Sequence, residues 1–201
     1  IAMDLFRAGE IDDKTVLMRM EPQKLDELLH PVFDKAALKR ANVVAKGLPA
    51  SPGAASGQIV FSAEDAESWA EKKRKVVLVR IETSPEDLRG MAVAQGILTM
   101  RGGMTSHAAV VARGMGKCCV SGAGEIHVDY KAKTVEMGGK TYNEGDWISL
   151  NGSTGEVYDG QVPTVMPELG GDFGQIMNFA SKYTHTLVRT NADTPRDAKQ
   201  A

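Results

Sequence analysis

The sequence predicts an α/β fold built on a mixed sheet, and two patterns along the chain carry that prediction. Between residues 57 and 121 short apolar runs alternate with amphipathic stretches, the arrangement of parallel strands joined by right-handed helical crossovers. From Ile126 onward apolar and polar residues alternate instead, and Gly138-Gly139 and Asn143-Glu144-Gly145-Asp146 supply tight turns, which are hairpin signals. A helical N-terminal extension and a C-terminal linker helix complete the expected architecture.

Taken in order, residues 1–46 carry helical patterns, including 24–29 and 35–44, broken by Glu21-Pro22 and His30-Pro31. Residues 47–52 read as a linker, because the prolines and glycines around them interrupt both helix and strand. The sheet domain then occupies 53–160. Within it we expect a strand over 57–61, a charged helix over 62–75, a buried strand over 76–81, strands at 96–100 and after Lys117, and a helix over 108–112. Ser84-Pro85-Glu86-Asp87 starts another helix, with serine as cap, proline at the first helical position and acids in the first turn. Asn151-Gly152-Ser153-Thr154-Gly155 lacks the lysine and following helix of a nucleotide P-loop, so it reads as a hairpin turn. Residues 161–201 give a proline-containing connection, a linker helix over 173–183 and the start of a further strand over 187–191. An N-terminal Ile1 and an end soon after Asp193-Thr194-Pro195 give the chain the look of an excised fragment.

Composition excludes several classes of function. With 201 residues and 42% hydrophobic content the chain can bury a proper core. Twenty-four basic against 26 acidic side chains give a net charge of −2, and only 5% of residues are aromatic, which argues against a nucleic-acid partner. No apolar stretch approaches the roughly 18 residues of a membrane helix, and the N-terminus lacks a signal-peptide pattern, so a soluble protein is expected. Cys118 and Cys119 are adjacent in an expected buried strand and point to opposite faces, which suits small hydrophobes in a reducing compartment rather than a disulfide or metal site.

The most informative stretch is Arg101 to Arg113, which places His107 at the mouth of a helix just after Gly102-Gly103. Glycines in a strand-to-helix turn let the backbone take positive φ and let a ligand approach closely. Thr105 or Ser106 can cap the first turn, and the remaining amides with the positive helix end favour an anion beside His107. A neutral imidazole there can attack a terminal phosphoryl group, forming a phosphoramidate that keeps a high transfer potential. Phosphoryl transfer depends mostly on positioning and charge compensation, so one histidine suffices for a carrier. Arg113 lies six residues on, which turns it through about 600° and lifts it about 9 Å, off the His107 face. Its guanidinium either curls back to offer a fork to phosphate oxygens or stays a solvated helix-end charge.

These residues resemble the phosphohistidine domain of PEP-utilising enzymes, the family of pyruvate phosphate dikinase, phosphoenolpyruvate synthase and phosphotransferase-system enzyme I. The resemblance rests on Thr83-Ser84-Pro85-Glu86-Asp87, on Arg101 to Arg113, on Gly114-Met115-Gly116-Lys117-Cys118-Cys119-Val120-Ser121-Gly122 and on Ser149-Leu150-Asn151-Gly152-Ser153-Thr154-Gly155. Within the family the wording is most similar to the dikinases, and the similarity covers essentially the whole chain. It implies a swivelling β/β/α domain in which His107 carries the phosphoryl group. Gly102, Gly103, Thr105, Ser106, Arg113 and, from the neighbouring loop, Ser84 would contact that group. The resemblance also makes Thr105 a position for regulatory phosphorylation, where a second dianion would repel incoming phosphate.

The same resemblance implies the partners. Residues 1–46 would link from a nucleotide-binding domain, and residues 187–191 would start a PEP/pyruvate-binding barrel of the same parent chain. Mg2+ would serve the complete enzyme, with no metal held by this segment. A regulatory kinase/phosphatase, a homodimeric parent and a location in cytoplasm, plastid or glycosome follow from the family. Two other readings stay open: a synthase or enzyme I carrier using the same histidine, and a noncatalytic swivelling docking module.

Overall fold

The computed structural model describes residues 2–21, 25, 28–167 and 171–185. In chain order the elements are α1 (Ala2–Arg7), α2 (Asp13–Met18), β1 (Val32–Phe33), α3 (Lys35–Leu38), β2 (Val43–Lys46), β3 (Leu48–Ser51), β4 (Ala54–Val60), α4 (Ala63–Glu71) and β5 (Val76–Arg80). A 3-10 turn (Pro85–Asp87) leads into α5 (Leu88–Val93), followed by β6 (Gly96–Thr99), α6 (His107–Gly114) and β7 (Cys118–Ser121). The chain continues with β8 (His127–Asp129), β9 (Thr134–Met137), β10 (Lys140–Asn143), β11 (Trp147–Asn151), β12 (Glu156–Asp159), β13 (Thr164–Val165) and α7 (Gly171–Tyr183).

Two compact units result, one of residues 25–167 and a smaller one drawing on 1–24 and 168–201. In the smaller unit Met3, Val16 and Ile176 are buried together, and the rings of Phe6 and Phe179 meet edge to face at 4.9 Å. Asp13 accepts hydrogen bonds from Lys182 Nζ at 2.7 Å and from the Tyr183 hydroxyl at 2.5 Å, tying α2 to α7.

The larger unit is a three-layer β/β/α sandwich. Its central sheet has the strand order β2-β12-β11-β4-β5-β6-β7-β3. Strands β4, β5, β6 and β7 are parallel neighbours, as the alternation of strand and helix predicts, and the remaining pairs in this sheet are antiparallel. Helices α4 and α6, with Met91 of α5, cover one face over Val60, Val76, Leu78, Ile97 and Cys119. The antiparallel sheet β10-β9-β8 covers the other face, where Val135, Met137 and Tyr142 pack on Val77, Val79, Leu98 and Cys118. Val76 to Val79 are fully buried, and this two-sided burial is the reason they read as an unbroken apolar run. Cys118 and Cys119 fall on opposite faces as strand geometry requires, and both thiols are free.

Two local expectations fail. Residues 35–44 do not form one helix: α3 ends at Leu38, and Val43 to Lys46 join the sheet as β2 beside β12. The β-branched pair Val43-Val44 and the burial of Ala45 favour a strand once a partner is available. Residues 47–52 do not form a free linker: Leu48–Ser51 is the edge strand β3, antiparallel to β7. Pro49 is tolerated because an edge strand needs no ladder donor on its outer side, and the register shifts between Pro49 and Ser51. Boundaries expected at 46 and 53 therefore fall inside the larger compact unit. The expected strand over 187–191 lies outside the described residues.

Candidate functional site

The parallel strands β5, β6 and β7 end side by side, and the three loops that leave their carboxyl ends build one site. In open α/β sheets this edge is where ligands bind. The loop after β6 is drawn onto the loop after β5 by main-chain bonds, Met100 N to Arg80 O at 3.0 Å and Arg101 N to Ile81 O at 2.8 Å. From β6 the chain makes a turn over 101–106 and enters α6 with His107 as its first residue.

Ser106, rather than Thr105, is the cap. Its backbone is extended (φ −64°, ψ 160°) and its hydroxyl accepts from Ala109 N at 3.4 Å. The amides of His107 and Ala108 precede any carbonyl four residues back within the helix, so they are the free donors of the first turn. Gly102 takes φ +108°, and a Cβ there would fall 2.9 Å from Ser106 Cβ. At Gly103 nothing lies within 4 Å of such a Cβ, so the turn is open on that side. Thr105 is exposed at the tip.

His107 is half-buried, and its Nδ1 lies 2.9 Å from the hydroxyl oxygen of Thr83 in the loop after β5. When Nδ1–H donates to that oxygen, the lone pair is on Nε2, the ring nitrogen with no partner among the described residues. Thr83, three residues past the end of β5, is thus the hydroxyl that this loop brings to the ring. Ser84 does not take that place: its amide donates to Asp87 Oδ2 at 2.9 Å and its hydroxyl lies 3.4 Å from the same oxygen, a capping box.

Arg113 does curl back along α6. Its Nε donates to Ala109 O at 3.1 Å, and one terminal nitrogen donates to the carbonyl of Met104 at the loop tip. The guanidinium therefore pins the loop that precedes His107. Two residues at the end of β7 finish the cradle: the hydroxyl of Ser121, the last residue of the strand, donates to Gly103 O at 3.4 Å, and Gly122 (φ +64°) lets its backbone close on Gly102 O. Neither Ser121, Gly122 nor Thr83 stands out as a site residue in the sequence. What marks Thr83 in retrospect is the parallel register Arg80 to Thr99, which sets the ends of β5 and β6 level.

Arg113 also faces Cys119, but burial outweighs its charge and pushes that thiol up to about 12. A cavity of about 600 Å³ lies at the opposite end of the sheet, lined by Lys75, Gln95 and Lys117, the residues just before β5, β6 and β7. His107 is thus presented on a loop-built ledge at the other pole. Among the described residues no three His, Cys, Asp or Glu side chains converge as a metal site.

Comparison with known proteins agrees with this arrangement. Residues 72–155, from just before β5 to the turn after β11, match the family described as PEP-utilising enzyme, mobile domain. The chain is 55% identical over all 201 residues to a pyruvate, phosphate dikinase of Clostridium symbiosum, of which it covers 23%. It is 56% identical over 201 residues to a chloroplastic pyruvate, phosphate dikinase of Mesembryanthemum crystallinum and 52% identical to the enzyme of Rhizobium meliloti, covering 21% and 22% of them. The chain spans between a fifth and a quarter of the length of these relatives. Over residues 72–155 it is similar to the mobile domain of PEP-utilising enzymes, and it is similar from end to end to one segment of the pyruvate, phosphate dikinases.

Proposed function

We propose that this chain is the phosphoryl-carrier segment of a longer pyruvate phosphate dikinase and that His107 is the carrier. The observation that supports this best is the contact between Thr83 and His107 Nδ1, which, with the ring proton on Nδ1, leaves Nε2 as the nucleophile at a helix N-terminus. The overall reaction converts ATP, inorganic phosphate and pyruvate into AMP, diphosphate and phosphoenolpyruvate. In the first transfer the Nε2 lone pair attacks the β-phosphorus of ATP, an N–P bond forms and the P–O bond to AMP breaks, so the ring carries a diphosphoryl group. Inorganic phosphate then attacks the terminal phosphorus of that group, the bridging P–O bond breaks and diphosphate leaves, with one phosphoryl group kept on the ring. In the last transfer the enolate oxygen of pyruvate attacks the phosphorus still bound to the ring and the N–P bond breaks, returning a neutral ring.

During these transfers the free amides of the first turn of α6 meet the phosphoryl oxygens, with Gly102 and Gly103 leaving room for them. Ser106 holds the start of the helix, and Arg113 holds the loop with a charge close by. Ser84 acts on the phosphoryl group only through the loop that it caps. Thr105, exposed at the tip, is where a regulatory kinase/phosphatase would act, since a dianion there repels an incoming phosphoryl group.

The partners in this reading are a nucleotide-binding domain and a PEP/pyruvate-binding barrel of the same parent, itself a homodimer. In this reading Mg2+ would act on the reacting phosphates of the complete enzyme. No helix among the described residues is long and apolar enough to cross a membrane. Relatives include chloroplastic and bacterial enzymes, and this chain would work in the plastid or cytoplasm accordingly.

The test is an acid-labile phosphoryl label on the full-length protein, supplied from phosphoenolpyruvate or ATP. Incorporation that disappears in His107→Ala is the expected result. Failure of the intact protein to take label would sink the carrier reading and leave a docking module. A full reaction that proceeds without inorganic phosphate and releases no diphosphate would point to a synthase or enzyme I instead.

A further inference from the structure

The segment that carries Thr83 is pinned on both sides by one cluster. Upstream, the Ile81 amide donates to the hydroxyl of Tyr130 at 2.7 Å. Downstream, the Ser84 amide donates to Asp87 Oδ2 at 2.9 Å. Arg80 joins the two pins: its guanidinium lies 5.0 Å from the centroid of the Tyr130 ring, and its Nε lies 3.4 Å from Asp87 Oδ1. A terminal nitrogen of the same guanidinium donates to Phe61 O at 2.8 Å, which fixes the group to the end of β4. Nε is buried without a well-aligned acceptor, so its attraction to Asp87 is Coulombic rather than a directed hydrogen bond.

We propose that Arg80, Tyr130 and Asp87 form a clamp that sets the position of the Thr83 hydroxyl and, through it, the tautomer and orientation of His107. None of the three touches the ring, so they are positioning residues, and the proposal rests on the carrier reading only for its effect on rate. The physical argument is one of geometry. Thr83 sits on a short loop between two pinned amides, and its hydroxyl lies 2.9 Å from Nδ1, at the favourable distance for a hydrogen bond. A fraction of an ångström of slack on either side lengthens that bond and lets the ring sample the other tautomer. Asp87 is only 4% exposed, so a single point charge on this carboxylate without Arg80 is an uncompensated buried ion, which explains why the clamp uses a charged pair with a stacked aromatic face. Tyr130, by contrast, is 38% exposed and can lose its hydroxyl without opening a cavity.

Tyr130→Phe in the full-length protein is therefore the cleanest test, since it removes the acceptor for the Ile81 amide and keeps the aromatic face beneath Arg80. Two readouts are needed, the ring-nitrogen NMR shifts of [15N]histidine-labelled protein, with the His107 signals assigned from His107→Gln, and the steady-state kinetics. The wild type should show His107 with its proton on Nδ1. Tyr130→Phe and Thr83→Val should both move the shifts toward a mixture of tautomers. Both should lower kcat about fivefold, the effect of one hydrogen bond, at unchanged KM. Arg80→Lys, which keeps the charge beside Asp87 and loses the planar stack, should do the same. Wild-type ring shifts in Tyr130→Phe and Arg80→Lys, with Thr83→Val alone perturbed, would overturn the clamp. Unchanged shifts in Thr83→Val would overturn it as well, because the contact through which it acts would be absent. Shifts that move as expected in a protein that never takes up label would leave the clamp standing and remove the carrier function instead.

Discussion

Gly122→Ala places the loop geometry under direct test, because the new methyl group has one clear obstacle. A Cβ at Gly122 would lie 2.4 Å from the carbonyl oxygen of Gly102, where ordinary van der Waals contact begins at 3.4 Å. The loop that ends in His107 must therefore retreat by about 1 Å, or β7 must shift by as much against its neighbours. The backbone itself resists, since φ +64° at this position costs an L-residue about 1–2 kcal/mol. A displacement of about 1 Å at a reacting group is enough to lower the rate of transfer about 100-fold. Single-turnover labelling of His107 in the full-length protein reads this rate, and hydrogen exchange over residues 100–106 reads the loosening of the turn. Gly114→Ala is the control: nothing lies within 4 Å of a Cβ there, and alanine favours the helix by roughly 0.5–1 kcal/mol. Labelling of Gly122→Ala at the wild-type rate, or equal losses in the two variants, would refute the argument that Gly122 sets the approach of Gly102.

Further predictions concern burial, pH and the two half-reactions. Cys118 and Cys119 should resist thiol reagents until the domain unfolds, since burial pushes both thiols up, Cys119 to about 12; rapid modification of the folded protein would contradict this. Glu156 is held below the usual carboxylate range first by the Thr154 hydroxyl and then by that of Tyr158. Its stabilising contribution is complete above the unfolded value of about 4.3 and is lost as pH falls through the lower folded value. Glu156→Gln should thus flatten the acid loss of exchange protection in β11 and β12 below about pH 4.5, and parallel pH curves for the two proteins would count against it. Thr83→Val should slow phosphorylation of His107 from ATP and its dephosphorylation by pyruvate by the same factor, measured in separate half-reactions; a loss confined to one of them would place Thr83 in contact with a partner domain instead.

The legible part of this fold is the part with local pattern. Val76 to Val79 are buried on both faces and announce a central strand, and the Ser84-Pro85-Glu86-Asp87 start is a local device that forms where it stands. What the pattern misses depends on distant pairing. Residues 43–46 become a strand because 156–158 lie beside them, and 48–51 because β7 offers an edge. The site divides in the same way. His107, Ser106 and the glycine turn follow one another along the chain, so local reasoning finds them. Thr83 lies 24 residues from His107, and the two meet because β5 and β6 run parallel in a fixed register. Arg113 illustrates a third case, in which the helix rotation correctly directs the Cα away from His107 and the length of the side chain returns the guanidinium to the Met104 carbonyl.

Among the described residues, the contacts that orient His107 come from its own compact unit: Thr83 on the ring, Ser106 and Arg113 on the helix start, Ser121 and Gly122 beneath the turn. A nucleophile assembled only on docking would have to be rebuilt by each partner in turn. A self-contained cradle presents the same ring, in the same tautomer, wherever the domain is placed. In the proposed carrier the two partner domains would then supply only their own substrates and the exclusion of water. Met104 at the loop tip and Val110 on α6 are exposed apolar side chains beside the cradle and would be available to such partners. Their side chains are separate from the groups that hold the ring, so changes there would leave the cradle undisturbed. The proposed carrier would need that division of labour, and the ring's anchor, Thr83, accordingly sits on the loop that leaves β5 of the same unit.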